Sequence, residues 1–288
     1  MNVITNFPVF FRDMALIIKA EIKRDLLYMK RYPLEILSFI FFMFLILLAI
    51  VWGVDTLLPK GSKIMDAGSG FAKERMVLGY CLMQFVLATQ MGWSGQIQNE
   101  SQTGTLEQLS ISGHSLGGVL FARGVAQLPR QIISFFLMLG CYKLALPETG
   151  IDLSKFYLGI IDLCILAIGI FGVSYVFAGL TLLFKRVGFF FQIINFAFLG
   201  LFWQSRDGLC APEADPATCN KALVWLFDHF PLTIGMTELT SSMTHPSMHS
   251  PYTLFEFGVY SVVFMCAGYM AFRWMENRAR AHGLLSQY

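Results

Sequence analysis

The sequence predicts an all-α polytopic membrane protein with six transmembrane helices. Of the 288 residues, 56% are hydrophobic and only 14% are charged, and Phe alone occurs 28 times. The apolar residues are gathered in uncharged runs of about 20 residues, the length that an α-helix needs to cross a hydrocarbon core about 30 Å thick. A soluble protein of this length could not keep so much apolar surface away from water.

The N-terminal segment, residues 1–33, precedes the first apolar run and has the periodicity of an amphipathic helix over residues 8–31. Its basic residues share one narrow face: Arg12, Lys19, Lys23 and Lys30. Its apolar residues share another: Phe11, Met14, Ile18, Ile22, Leu26 and Met29. Asp25 interrupts this apolar face. The pattern predicts a helix lying in the lipid headgroup layer, with a helix packed on a soluble partner as the alternative.

The transmembrane domain is expected at residues 34–272 and a cytoplasmic tail at 273–288. A polar loop, 98–113, separates the second span from the third, and a long loop, 204–250, separates the fifth from the sixth. The six predicted spans are 34–54, 76–97, 127–146, 156–183, 187–203 and 252–272.

An even number of spans places both termini on one side of the membrane, and the distribution of charge indicates which side. Lys and Arg accumulate in cytoplasmic flanks. Most of the 21 basic residues fall on the side of the termini: Arg12, Lys19, Lys23, Arg24, Lys30, Arg31, Arg123, Arg130, Lys185, Arg186, Arg273, Arg278 and Arg280. We therefore expect a multi-pass protein of the cytoplasmic (inner) membrane with both termini in the cytoplasm. The basic residues form no stripe, so nucleic acid is not an expected partner.

Two of the six cysteines, Cys210 and Cys219, lie in the predicted outer loop among Pro and Gly residues that favour turns. An oxidising compartment would permit a disulfide between them. Two free thiols or a metal pair is the alternative, but neither a His nor a second Cys pair lies beside them, so we expect a disulfide and no metal site.

Loop 98–113 contains the signals of a short helix. Thr105 can cap its start, Gln108 completes a capping box, and Gly113 would end it. A short capped helix in a cytoplasmic loop can move as one body between two membrane helices. Such a helix could transmit force.

This loop resembles a segment of a known family. Glu100-Ser-Gln-Thr-Gly-Thr-Leu-Glu-Gln-Leu109 is similar to the acidic Gly-Thr-Leu-Glu coupling segment of type 2 ATP-binding-cassette (ABC) exporter permeases. Phe230-Pro-Leu-Thr-Ile-Gly-Met-Thr-Glu-Leu239 is similar to the family's Pro-Leu-Thr box, which belongs to short re-entrant helices before the last span. An interfacial N-terminal helix, six spans and a long outer loop agree with that family, so the resemblance covers nearly the whole chain.

The resemblance implies the transmembrane subunit of an ABC exporter, which is not itself an enzyme. The residues it assigns to coupling with the ATPase are Glu100, Thr103, Gly104, Thr105, Leu106 and Glu107. No Gly-Lys dipeptide occurs in the chain, so a phosphate-binding loop cannot be built and this chain is expected to bind no cofactor. ATP and Mg are expected on separate nucleotide-binding subunits. A second permease subunit, identical or related, and membrane lipids are the other expected partners.

Two other functions remain open on the residues alone. Gly113-His-Ser-Leu-Gly117 matches the nucleophile elbow of serine hydrolases, which would make Ser115 the nucleophile. The polar capped helix before it and the membrane span after it do not provide the strand-to-helix setting that an elbow requires, and we interpret its glycines as a flexible joint. A secondary transporter would need internal repeats, and none is convincing.

Polar residues within the spans are candidates for the transport path, because burying them in lipid is costly. They are Asp162, Glu256, Gln192 and Asn195. Asp162 could line a path or pair with Lys143 or Lys155, whereas hydrogen bonding between helices is the more ordinary role for any one of these residues. The fifth span is rich in Phe, which suits an amphiphilic or lipid-like cargo as well as plain exposure to lipid.

Overall fold

The computed structural model describes residues 7–57, 71–105, 108, 115–145, 151, 154, 156–184, 187, 189–194, 229–244 and 251–281. These residues are helical almost throughout, and none of the described residues lies in a strand. Residues 189–194 form a short helical stretch. The longer helices are α1 (Phe7–Arg31), α2 (Pro33–Leu57), α3 (Phe71–Gln102), α4 (Leu116–Ala145), α5 (Phe156–Leu183), α6 (Pro231–Thr244) and α7 (Pro251–Ala281).

Five of the described helices are long and apolar enough to cross a membrane. The candidate spans are Pro33–Gly53, Met76–Gln102, Leu116–Ala145, Phe156–Leu183 and Pro251–Ala281. The chain is therefore a multi-pass helical membrane protein. The sixth predicted span, 187–203, falls mostly outside the described residues and stays a prediction.

The helix of the third span begins well before the position that apolarity predicted. The expected span was 127–146, but α4 starts at Leu116. The two guanidinium groups that interrupt the apolar run, Arg123 and Arg130, lie inside this helix and are paired with carboxylates. Apolarity alone excluded the first turns of α4 because it cannot register such pairing.

A single residue, Tyr32, separates the first two helices. Tyr32 N–H donates to Tyr28 C=O (2.9 Å) and Ile36 N–H to Tyr32 C=O (3.4 Å), so backbone bonding continues across the junction. Pro33 occupies the first position of α2, where its missing N–H costs nothing. Tyr28 lies in the last turn of α1. A side-chain hydrogen bond with Glu35 of α2 raises the pKa of the Tyr28 phenol above its ordinary value.

Helices α5 and α7 make the tightest contact of the bundle. A Cβ placed on Gly172 would lie 2.2 Å from the carbonyl oxygen of Phe264, and one on Gly268 would lie 2.0 Å from the carbonyl oxygen of Gly172. The two backbones touch directly, an approach that only glycine allows in a membrane bundle. Helix α3 packs on the other side of α5, where Trp93 meets the rings of Phe171 and Tyr175.

Contacts at the helix ends show which parts of the chain share one end of the bundle. Gly117, at the start of α4, packs on Phe272 near the end of α7. Helix α6 lies at the other end, where Met236 reaches Gly79 near the start of α3 and Met243 reaches Gly159 near the start of α5. Helix α6, which belongs to the predicted outer loop 204–250, therefore lies at the end of the bundle away from the end of α7. Its re-entrant character stays a prediction.

Candidate functional site: an ion cluster beside the coupling segment

The predicted coupling segment begins on the last turn of α3. The helix ends at Gln102, and Gly104 adopts a left-handed conformation with φ of 70°. Thr103 completes the end, since its N–H donates to Asn99 C=O (3.0 Å) and its hydroxyl to the same oxygen (2.9 Å). A glycine with positive φ is the usual way to stop a helix.

The left-handed turn at Gly104 interrupts the helix that contains Glu100. Thr105 and Gln108 are helical beyond it, and the Thr105 hydroxyl reaches back to Glu100 C=O (3.4 Å) and lies 2.9 Å from the Thr103 hydroxyl. Leu106, Glu107 and residues 109–114 lie outside the described residues.

Five charged side chains from three helices meet beside this turn, and we call them the ion cluster: Glu21, Asp25, Glu100, Arg123 and Arg130. Arg123 lies at its centre, pairing with Glu100 and, through Nε, with Glu21 Oε1 (3.3 Å). Arg130 Nε lies 3.7 Å from Asp25 Oδ2. Arg24 pairs with Glu21 at 2.6 Å on the outer side.

Partial burial makes the centre of the ion cluster energetically important. The Arg123 side chain is 17% exposed and that of Glu100 is 15% exposed. An intact ion pair in such a setting adds only modestly to the stability of the fold, but removing one partner leaves the other as a poorly solvated charge. Arg123 serves two carboxylates on two helices. Its loss would therefore release α1 and the end of α3 together.

The ion cluster explains why α1 has an imperfect apolar face. The side of α1 that packs on α4 contains Met14, Ile18 and Ile22, and Glu21 and Asp25 lie among them, one turn apart. The apolar stripe thus contacts protein, and its two acids meet arginines of α4. The basic residues of α1 are exposed on the opposite side: Arg12, Lys19, Lys23 and Lys30.

Ser115 is the N-cap of α4 in this structure. Its hydroxyl oxygen accepts the backbone N–H of Gly118 at 3.2 Å, as a capping serine does. Gly117 and Gly118 lie inside the first turn of α4 and are buried, which corrects the expectation of a flexible joint. Gly117 C=O accepts a hydrogen bond from the Tyr175 hydroxyl (2.8 Å), so this turn is fixed against α5.

The intramembrane polar candidates are distributed over separate parts of the bundle. Asp162 is 1% exposed and accepts a hydrogen bond from the Ser242 hydroxyl (2.5 Å), joining α5 to α6. Pairing of Asp162 with Lys143 was one alternative, and Lys143 donates to Ile151 C=O. Glu256 and Gln192 are exposed. Asn195 and Lys155 lie outside the described residues.

The described cysteines, Cys81, Cys141, Cys164 and Cys266, are free thiols. Cys210 and Cys219 lie outside the described residues, so their disulfide stays a prediction. Within the part of the chain that the structure describes, no group of three or more His, Cys, Asp or Glu residues could hold a metal ion.

Sequence reasoning found Glu100 but missed its partners in the ion cluster. A signal was present, because Glu21 and Asp25 interrupt an apolar stripe with the spacing of one helical turn. Two acids on such a face predict basic residues opposite them. Which arginines these are depends on how α1 docks, and one chain without its fold does not specify that.

Comparisons with models of protein families, with curated proteins and with solved structures gave no match to this chain.

Proposed function

We propose that this chain is the permease subunit of an ATP-driven ABC exporter, which moves an amphiphilic or lipid-like substrate across the cytoplasmic membrane. One observation carries the proposal: the coupling-like segment 100–109 begins on the last turn of a membrane helix, and its first residue, Glu100, is paired with Arg123 of the next membrane helix. A force applied to that segment would therefore reach α3 and α4 at once.

The ion cluster supplies a physical route for such a force. Helix α3 is unbroken from Phe71 to Gln102, so a displacement at its end moves the whole helix. Arg123 couples this end to α4 and, through Glu21, to α1. Packed helices respond to small shifts by moving as rigid bodies. In this proposal, α1, α3 and α4 are the moving group.

The proposal also includes the partners and the orientation. ATP and Mg would be bound by separate ATPase subunits that dock on residues 100–107, and a second permease subunit, identical or related, would complete the path. Both termini would be cytoplasmic. Because Glu100 is engaged within the chain, we assign docking on the ATPase mainly to Thr103, Thr105 and Glu107.

Charge reversal at Glu107 tests the proposal. We expect the chain to co-purify with the ATPase encoded by a neighbouring gene, and we expect Glu107→Lys to uncouple ATP hydrolysis from transport while membrane insertion is retained. Losing a charge pair at a docking surface costs about 2–5 kcal/mol. The measurements are partner-stimulated ATPase activity and transport in reconstituted vesicles.

Ser115→Ala is the matched control in the same loop. It should lower stability by about 1 kcal/mol through loss of the helix cap and leave transport intact. Abolished activity in Ser115→Ala together with an unaffected Glu107→Lys variant would instead support the serine hydrolase and end the permease proposal.

A further inference from the structure

A row of polar residues continues from the ion cluster into the membrane between α3 and α4. We call it the polar seam, and its members are Thr89, Gln96, Glu100, Arg123, Gln127 and Gln131. Successive members are four or seven residues apart along each helix. The contacts described next place all of them except Gln96 on facing sides. Polar side chains inside a span ordinarily face the protein interior or a water-filled space.

The contacts along the polar seam follow a regular antiparallel register. Glu100 meets Arg123 at the cytoplasmic end. Further in, the Trp93 ring occupies the notch at Gly124, where a Cβ would lie 2.4 Å from the ring. Thr89 then donates to Gln131 Oε1 at 2.8 Å.

Gln127 lies between the Trp93–Gly124 contact and the Thr89–Gln131 hydrogen bond. A Cβ on Gly92 would lie 2.8 Å from the Gln127 Oε1 atom, so the amide rests against the backbone of α3. From Arg123 to Gln131 the seam extends about 12 Å along α4 at about 1.5 Å per residue.

Several buried polar atoms along the polar seam have no hydrogen-bond partner among the described residues. They are Trp93 Nε1 and Arg123 Nε, which are donors, and Gln96 Oε1 and Glu100 Oε2, which are acceptors; Arg123 Nε is in ion-pair range of Glu21. Buried donors and acceptors are satisfied in folded proteins by protein groups or by water. Water is the smallest molecule that both donates and accepts.

We infer that the part of the polar seam between Glu100 and Trp93 is a binding site for ordered water molecules. Trp93 Nε1 donates to this water, and Gln96 and Glu100 accept from it. Water that bridges α3 and α4 satisfies these buried groups while the two helices stay together as one body.

Radiolytic hydroxyl labelling with residue-resolved mass spectrometry tests this site in the full-length protein in nanodiscs. Radicals made from bound water modify neighbouring side chains even where bulk solvent has no access. Trp93 and Tyr142 are both 1% exposed, so Tyr142 is the matched control. We expect Trp93 to be labelled several-fold faster than Tyr142 once each rate is normalised to that of the free amino acid.

Gln96→Leu should reduce the labelling of Trp93 severalfold and leave that of Tyr142 unchanged, because it removes an acceptor of the bound water. Gln127→Leu replaces it as the variant if Gln96→Leu does not fold. Equal rates at Trp93 and Tyr142 in the unmodified protein would overturn the inference, as would fast labelling of Trp93 that persists in the folded variant. The assay contains no ATPase, so its failure leaves the exporter proposal to its own test.

Discussion

Arg123 is the residue through which the parts of the candidate site are joined. It pairs with Glu100 of α3 and Glu21 of α1 while belonging to α4. A guanidinium group suits this position because its several N–H donors can serve two carboxylates at once and it stays charged at every physiological pH. The end of α3, the N-terminal helix α1 and the start of α4 are therefore joined through one side chain.

We predict that Arg123→Gln lowers the free energy of unfolding by about 3 kcal/mol, because two poorly solvated carboxylates lose their partner. Thermal unfolding in detergent measures it. Lys19→Gln, at an exposed position of α1, removes the same charge and should have almost no effect. Equal losses in the two variants would show that net charge, and not the ion cluster, sets the stability.

At this scale the sequence identified charged residues but not their partners within the chain. The expected role of Glu100 in coupling to an ATPase stays a prediction, and the structure pairs this residue with Arg123. Asp25 was a defect in an amphipathic pattern, and it proves to be a partner of Arg130. Chemistry-bearing residues were recognisable because charge is rare in this chain, but their partners are distant in sequence. Such pairings depend on docking geometry, which residue spacing does not contain.

Among the elements, α5 and α7 differ from the other helix pairs in how closely their backbones approach. The contact is centred on Gly172 and Gly268. It continues about one turn earlier on α5, where Gly169 lies beside Ser261 of α7. Without a hydrophobic driving force inside lipid, van der Waals packing of this kind is a main source of helix association. The pair forms a rigid frame against which α3 and α4 could move.

We predict that Gly268→Ala weakens the packing of α7 on α5, because the new Cβ would lie 2.0 Å from the carbonyl oxygen of Gly172. The backbone must separate, and overpacking typically costs about 1–3 kcal/mol or more. Gly258→Ala on the same helix has nothing within 4 Å of its Cβ and serves as the control. Unfolding in detergent should show a loss only in Gly268→Ala. A loss of equal size in both variants would mean that helix flexibility matters more than the contact.

The existence of the described membrane helices was predictable, and their ends were not. Apolar runs of about 20 residues can be recognised without a structure, because the thickness of the bilayer sets the length of a membrane-spanning helix. The ends depend on caps and ion pairs: Ser115 starts α4 earlier than apolarity suggests, and Gly104 ends the extension of α3. The capping signals expected from the sequence were Thr105 with Gln108 and a helix end at Gly113, whereas the structure ends α3 at Gln102 and caps α4 with Ser115.

In the whole molecule, contacts within the chain show which segments lie at the same end of the helix bundle. Glu21 of α1 meets Arg123 near the start of α4, and Gly117 at that same start meets Phe272 near the end of α7. Helix α6 contacts the opposite ends, where Ser242 donates to Asp162. The N-terminal helix and the end of α7 therefore share one end of the bundle, and α6 lies at the other.

The last prediction concerns which end faces the cytoplasm. Basic residues collect at the end that contains α1, the start of α4 and the end of α7, and cytoplasmic flanks are enriched in Lys and Arg. An epitope at Tyr288 should then be reached in spheroplasts only after permeabilisation. An epitope inserted within loop 204–250 should be reached without it. Exposure of Tyr288 in intact spheroplasts, with the loop epitope protected, would reverse the orientation and place residues 100–107 out of reach of any cytoplasmic ATPase, so the exporter proposal would fail with it.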